Sequence, residues 1–373
     1  MNELRRAVGQ LLTVGFEGPR LPAELARRIG ASEVGGVMLF RGNLGSPAEV
    51  AALVTAVRGA APAGGPPCVV AIDQEGGLVQ RMRAPLTEWP DMLSVGAAGD
   101  VARTERVGRA LGDELAALGI GWDFAPVLDV HTNPANPVIG NRAFGADPGV
   151  VTTHALAFWR GLRAAGVLGC GKHFPGHGDT RTDSHLDLPV VDHPIDRLRR
   201  VELAPFLAAV RAGVEALMTA HVLYPALDPD RPATLSRRIL TDLLRRQWGF
   251  AGVVVSDDLG MKAVADRHSI AELAVGAVSA GADVLLVRQP ESRQVEAFEA
   301  LVRAAESDAE LGRRVGESAA RVATLKRACR VGPPAPAALL PSLLGTPAHR
   351  ALASGFARVE PTSPVAASAV AES

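Results

Sequence analysis

Eight short apolar segments recur along this chain, each long enough for one β-strand, and most are separated from the next by a stretch of helical period. They are residues 10–16 (QLLTVGF), 35–40 (GGVMLF), 68–73 (CVVAID), 119–126 (GIGWDFAP), 167–174 (VLGCGKHF), 215–222 (EALMTAHV), 252–257 (GVVVSD) and 282–287 (ADVLLV). Apolar residues at consecutive rather than alternate positions suit strands buried on both faces. The segments between them carry helix-start chemistry, as in SPAEVAALVTAVRGA, where Ser46 is the expected N-cap before Pro47. Strands joined by helices imply a parallel sheet covered on both sides. Eight of them within residues 10–287 suit a closed barrel better than an open sheet, since such barrels take about 250 residues. The expected fold is therefore α/β: a single TIM-like (β/α)8 barrel with a C-terminal helical extension. Residues 1–330 form the barrel and its flanking helices in this reading, and 331–373 a Pro/Ala-rich, weakly ordered tail.

A barrel makes a demand on the polar residues, because its functional face is built where strands end and loops begin. Asp73 ends the third segment, Lys172 and His173 the fifth, His221 the sixth and Asp257 the seventh, while Arg288 follows the eighth. An open parallel sheet would show the same bias, so these positions support parallel topology more than closure.

Composition narrows the partners. Thirty-nine basic and forty acidic residues leave a net charge of -1, which gives no field to draw the chain to nucleic acid or an anionic membrane. A small ligand is expected. The three cysteines, Cys68, Cys170 and Cys329, are scattered without a CxxC pair, arguing against a disulfide framework or a thiolate zinc site. The N-terminal stretch lacks the apolar run of a secretory signal, and no segment is apolar enough to span a bilayer. The expectation is a cytoplasmic protein with no membrane partner; oligomeric state is not legible.

Residues Lys172 to Pro189 hold three histidines and three aspartates in the glycine-broken run KHFPGHGDTRTDSHLDLP. Residues 175–190 make a loop longer than most connections in a compact domain, and loops of that kind are commonly functional. Three readings compete. His173, His177, Asp179, Asp183 and His185 could ligate a metal, but no HxxxH helical pair is present, and neither a metal nor another cofactor is expected. The polar groups could instead satisfy one another in a tight loop, which suits His177 and Asp179 on either side of Gly178. Or Asp183 and His185 form a proton-transfer pair, the carboxylate orienting the imidazole and raising its pKa. A partner for such an acid stands in GVVVSDDLGM, where an apolar run leads to Asp257 and Asp258. Asp257, as the strand's last residue, should face inward and need a cation, with Lys172, Arg81 and Arg142 as candidates. Asp258 should cap the following turn.

The segments AIDQEGGLVQRM, VIGNRAFGADP, KHFPGHGDTRTDSH and VVVSDDLGM, in that order, resemble glycoside hydrolase family 3, in particular its β-N-acetylglucosaminidase branch of bacterial cell-wall recycling. The resemblance spans about residues 8–300. It implies a TIM-like barrel and retaining hydrolysis of terminal, non-reducing β-linked N-acetylglucosamine, from a small carbohydrate or muropeptide substrate. It also implies a nucleophile at Asp257, an acid/base at His185 with Asp183 as its partner, and sugar-binding groups at Asp73, Arg81, Arg142, Lys172 and His173. Leu78 stands where many relatives have Arg, a change at the rim.

Smaller expectations complete the reading. Gly76 and Gly77 permit a tight turn, Asp123 and Asp129 hold loops, and His221 is divided between core and pocket. The arginines of 198–200 and 236–246 read as solvated helix faces. Rivals from other classes are a lyase using Lys172 as a Schiff-base amine and a binding module without activity. Phosphate in place of water as acceptor stays open, because a neutral histidine would repel it less than a glutamate.

Overall fold

The computed structural model describes residues 3–184, 187–288 and 290–359. A helix, α1 (Glu3–Gln10), leads into β1 (Leu12–Val14), and the chain then alternates strand and helix. The strands are β2 (Gly36–Leu39), β3 (Val69–Ile72), β4 (Trp122–Asp123), β5 (Gly171–Phe174), β6 (Ala216–Thr219), β7 (Val253–Val255) and β8 (Leu285–Val287). Each falls inside one of the eight segments that the sequence singles out.

All neighbours pair in parallel. One sheet runs β8-β1-β2-β3-β4 and a second runs β5-β6-β7. Single parallel bridges, Trp122 with Leu168 and Val255 with Val284, join the two sheets at both edges. Backbone hydrogen bonds cross these joints, from Asp123 to Leu168 at 2.8 Å and from Ser256 to Val284 at 2.8 Å.

Alternation along each strand separates two cores. Met38, Val69 and Ala71, Trp122, Ala216 and Met218, Val253 and Val255, and Leu286 form one buried cluster inside the curved sheets. Their sequence neighbours Val37, Val70, Leu217, Val254 and Leu285 belong to the other, packed against the helices. Burial on both faces is why these strands read as continuous apolar runs. Each buried Val, Leu or Met side chain among them contributes about 1.5–3 kcal/mol relative to exposure.

Helix starts follow their local chemistry. Ser46 caps the helix Pro47–Ala60, its backbone N–H donating to Glu49 Oε2 at 2.8 Å while its hydroxyl accepts from Glu49 N–H at 3.3 Å. Ser269 and Glu272 repeat the device on Ile270–Ala280.

Two long helices, Glu291–Ser307 and Ala309–Ala328, follow β8. The second closes the end of the sheets opposite the functional loops. Val322 and Leu325 join the interior cluster, and the Lys326 ammonium donates to Gln10 Oε1 at 2.7 Å, Gly35 O at 2.7 Å and Pro67 O at 2.9 Å. Arg245 departs from the expected solvated face: it turns inward to pair with the buried Asp283, which Arg314 also contacts at 2.8 Å.

The weakly ordered tail expected from residue 331 is corrected over part of its length. Residues Leu340–Leu343 and Pro347–Ser354 are helical, Leu340 and Leu344 are buried, and Gly345 N–H donates to Glu114 Oε1 at 2.8 Å. Two leucines one turn apart supply an apolar anchor that the Pro/Ala composition hides. Residues 360–373 lie outside the described residues. Among the described residues no helix is long and apolar enough to cross a membrane.

Candidate active site

The site grows from the C-terminal ends of the strands. Asp73 directly follows β3, and a two-stranded hairpin, Gln74–Gly76 with Val79–Gln80, folds over the same end. Gly76 and Gly77 have φ of 100° and 57°, a backbone that glycine adopts freely and that turns the hairpin. The hairpin carries Glu75 inward, where it is almost fully buried.

Three cations meet two carboxylates here. Lys172, in β5, reaches Asp73 Oδ1 at 2.7 Å and Glu75 Oε1 at 2.5 Å. Arg142, on a short helical turn after β4, grips Glu75 through Nη2 at 2.7 Å and Nε at 2.9 Å. Arg81 Nη2 stands 3.6 Å from Asp73 Oδ2. Burial alone would raise the Glu75 carboxyl, but the guanidinium of Arg142 and ammonium of Lys172 hold it well below the usual range. Burial likewise opposes the Lys172 charge, yet Asp73 and Glu75 outweigh it and raise its pKa. Lys172 is therefore a held ammonium, without the free amine that a Schiff-base lyase requires.

Beside this cluster, Asp129 organises β5 and the loop after it. It accepts from His173 N–H at 3.2 Å, His173 Nδ1 at 2.7 Å and His177 N–H at 2.6 Å. Although burial works against its charge, the neighbouring His173 keeps the Asp129 carboxyl below its ordinary value. With Nδ1 engaged, His173 presents Nε2 toward Arg142 Nη2 at 3.5 Å.

His177 is buried and bonded through Nδ1 to Thr180 Oγ1 at 2.9 Å and through Nε2 to Ser184 Oγ at 3.1 Å. Burial, aided by the adjacent His173, lowers its pKa to about 4. It is a neutral brace within the loop, and Asp179 pairs with His193 instead.

Asp257 follows β7 on the same face and accepts from Asp258 N–H at 2.8 Å. Asp258 caps the turn, accepting from Gly260 N–H at 3.0 Å and Arg288 N–H at 3.2 Å. His221 supports this segment from β6: its ring meets Thr234 Oγ1 at 2.8 Å and the Asp258 carbonyl at 3.0 Å. Burial pushes the Cys170 thiol up, and Lys172, Asp73, Asp123 and Asp257 all exert charge on it, so these groups surround one strand end.

The loop after β5 crosses to Asp257's side. Ala263 N–H donates to Ser184 O at 3.2 Å, and Arg267 Nη2 to Asp187 Oδ1 at 3.0 Å. Asp183 is buried next to the first tie. His185, the expected acid/base, lies outside the described residues. Among the described residues no group of three or more His, Cys, Asp or Glu could hold a metal.

Sequence reasoning missed Glu75 as the partner of Arg142 and Lys172. A carboxylate two residues past Asp73 in a glycine hairpin was the available signal.

Residues 3–325 match the glycosyl hydrolase family 3 N-terminal domain, and the chain belongs to that family. It is 38% identical over 362 residues to beta-hexosaminidase A of Pseudoalteromonas piscicida, covering 90% of this chain and 60% of that protein. The structure of a family 3 beta-N-acetylglucosaminidase from Paenibacillus sp. str. FPU-7 superimposes with a TM-score of 0.85 at 44% identity, over 89% of this chain and 63% of that one. A beta-N-acetylhexosaminidase from Beutenbergia cavernae matches with a TM-score of 0.81 at 39% identity, over 88% of this chain and 99% of that one. The chain thus spans under two thirds of the first two relatives and nearly all of the third.

Proposed function

We propose that the protein is a retaining exo-β-N-acetylglucosaminidase that removes terminal, non-reducing β-linked N-acetylglucosamine by double displacement. The observation that supports this reading is the pair of hydrogen bonds from Ala263 to Ser184 and from Arg267 to Asp187, which tie residues 184 and 187 to the segment that follows Asp257. The hexosaminidase names of the relatives support the same sugar.

In this reading Asp257 attacks the anomeric carbon as the glycosidic bond breaks, and His185, protonated and oriented by Asp183, gives its proton to the departing oxygen. A glycosyl-Asp257 ester forms. His185 then takes a proton from water, whose oxygen displaces Asp257 and releases the sugar with its configuration retained. An imidazole with an ordinary pKa near 6.5 serves both steps close to neutral pH.

Asp73 accepts from sugar hydroxyls, while Arg81, Arg142, Lys172 and His173 donate to the ring oxygens and the acetamido group. Their mutual ion pairs order these side chains before substrate arrives, so little side-chain freedom is lost on binding. We take the strands to form one closed (β/α)8 barrel, with residues 1–330 as the catalytic unit. The natural substrate in this reading is a peptidoglycan fragment in which N-acetylglucosamine is linked to anhydro-N-acetylmuramic acid, processed in the cytoplasm.

Proton NMR of the first-formed product from a β-N-acetylglucosaminide tests the stereochemistry. The β-anomer is expected first; an initial α-anomer would exclude double displacement.

A further inference from the structure

We propose that Tyr224 is a positioning residue for proton transfer: with its neighbour Leu223 it holds both ends of loop 177–188, whose sequence carries Asp183 and His185. The inference rests on the glycosidase reading above and names a residue that acts through its acid–base pair. Tyr224 stands shortly after β6 and is fully buried. Its backbone is fixed in a turn, where its carbonyl accepts from Leu227 N–H at 2.8 Å and Asp228 N–H at 2.9 Å. From that base the phenol hydroxyl donates to the Gly176 carbonyl. Burial pushes the phenol well above its ordinary pKa, with Asp129 and Glu202 acting in the same direction, so the hydroxyl stays a donor.

The Gly176 carbonyl and the His177 N–H belong to one peptide unit. Tyr224 holds its oxygen, and Asp129 Oδ1 accepts from its N–H at 2.6 Å. A planar unit gripped at both polar ends has no freedom to turn about the chain, and this sets the direction in which the loop leaves β5. A phenylalanine would fill the same core volume, so what the hydroxyl adds is the hold on Gly176.

The far end of the loop meets the residue next door. Leu223 N–H donates to Pro189 O at 2.9 Å, and Val191 N–H donates to Leu223 O at 2.9 Å. Residues 223 and 224 therefore grip the loop's exit as well as its entry. Freeing either end lets the whole span shift, and a misplacement of about 1 Å at a reacting group can cost about 100-fold in rate.

The test removes that hydroxyl alone. Tyr224→Phe keeps the buried ring, and its kcat/KM is compared with wild type across aryl N-acetyl-β-glucosaminides whose leaving groups run from phenol to dinitrophenol. The loss should be about tenfold for the phenyl substrate, the scale of one hydrogen bond, and under about twofold for the dinitrophenyl substrate, which departs without a proton. In a His185→Ala background the same change should cost under about twofold on the phenyl substrate, because the group it positions is gone. Hydrogen exchange of the wild-type protein tests the clamp without any variant: the Val191 and Leu223 amides should exchange about 100-fold or more slowly than in an unfolded peptide. An equal loss across the leaving groups, no loss at all, a full tenfold loss in the His185→Ala background, or unprotected amides would each overturn the positioning role and leave the glycosidase reading standing. No turnover of any of these substrates by wild type would remove both.

Discussion

Arg142 and Glu75 form a two-pronged ion pair, Nη2 to Oε1 at 2.7 Å and Nε to Oε2 at 2.9 Å, with both side chains buried. Lys172 shares the same Glu75 oxygen and links the pair to Asp73. Glu75 therefore offsets two buried cations and sets the position of each. Glu75→Gln keeps the shape and removes the charge. It should cost about 3–5 kcal/mol of stability, as expected when a buried ion pair loses one partner. Urea denaturation measures that loss, and a change below about 1 kcal/mol would show that Glu75 does not hold these cations.

The barrel-like alternation was legible because strands covered on both faces must be apolar throughout, and the segments around Val70, Leu217 and Val254 are. The site was legible in part for a related reason: polar residues that end such segments, Asp73, Lys172, His173 and Asp257, have few structural reasons to be there. Glu75 escaped because its role depends on a hairpin fold that brings it under Arg142, a contact across 67 residues. Asp129 was read as a loop-holding residue, but its particular donors were not legible, since all three come from residues 173 and 177, across the joint between two sheets. The helices at 340–354 were hidden because two anchoring leucines carry little weight within a Pro/Ala-rich composition.

Gly178 presses on the segment that holds Asp129. A Cβ there would lie 1.9 Å from the Val130 carbonyl oxygen, which is backbone and cannot rotate away. Gly178→Ala should push the loop outward, weaken the His177 N–H bond to Asp129 and cost about 1–3 kcal/mol. A melting curve together with a kcat measurement checks this; an unchanged kcat would mean the loop's seat on Asp129 is not needed for turnover.

Acid should loosen the same loop. His177 has a folded pKa of about 4 against an ordinary 6.5, so the unfolded chain takes up the proton first as pH falls. Its stabilising contribution is complete above pH 6.5 and is lost as pH drops through about 4, a difference of about 3 kcal/mol. Asp129 and Glu75, both held below their ordinary values, act in the same direction at lower pH. Melting temperatures between pH 7 and pH 4 should fall, and His177→Gln should flatten the slope; an equal slope in the variant would reject His177 as the source.

His185→Ala should lose about 10²–10⁴-fold in kcat on substrates with poor leaving groups, the usual contribution of a general acid–base group. The loss should shrink for the glycosylation step when the leaving group is a nitrophenolate, which departs without a proton. A loss independent of leaving group would argue against proton donation by His185.

The most direct measurement is turnover of a chromogenic N-acetyl-β-glucosaminide by wild type and Asp257→Ala. The account predicts clear turnover by wild type and a fall of about four orders of magnitude or more in kcat for the variant, as when a nucleophile is removed. An Asp257→Ala enzyme that kept most of its activity would contradict it and shift suspicion to the substrate's own acetamido oxygen.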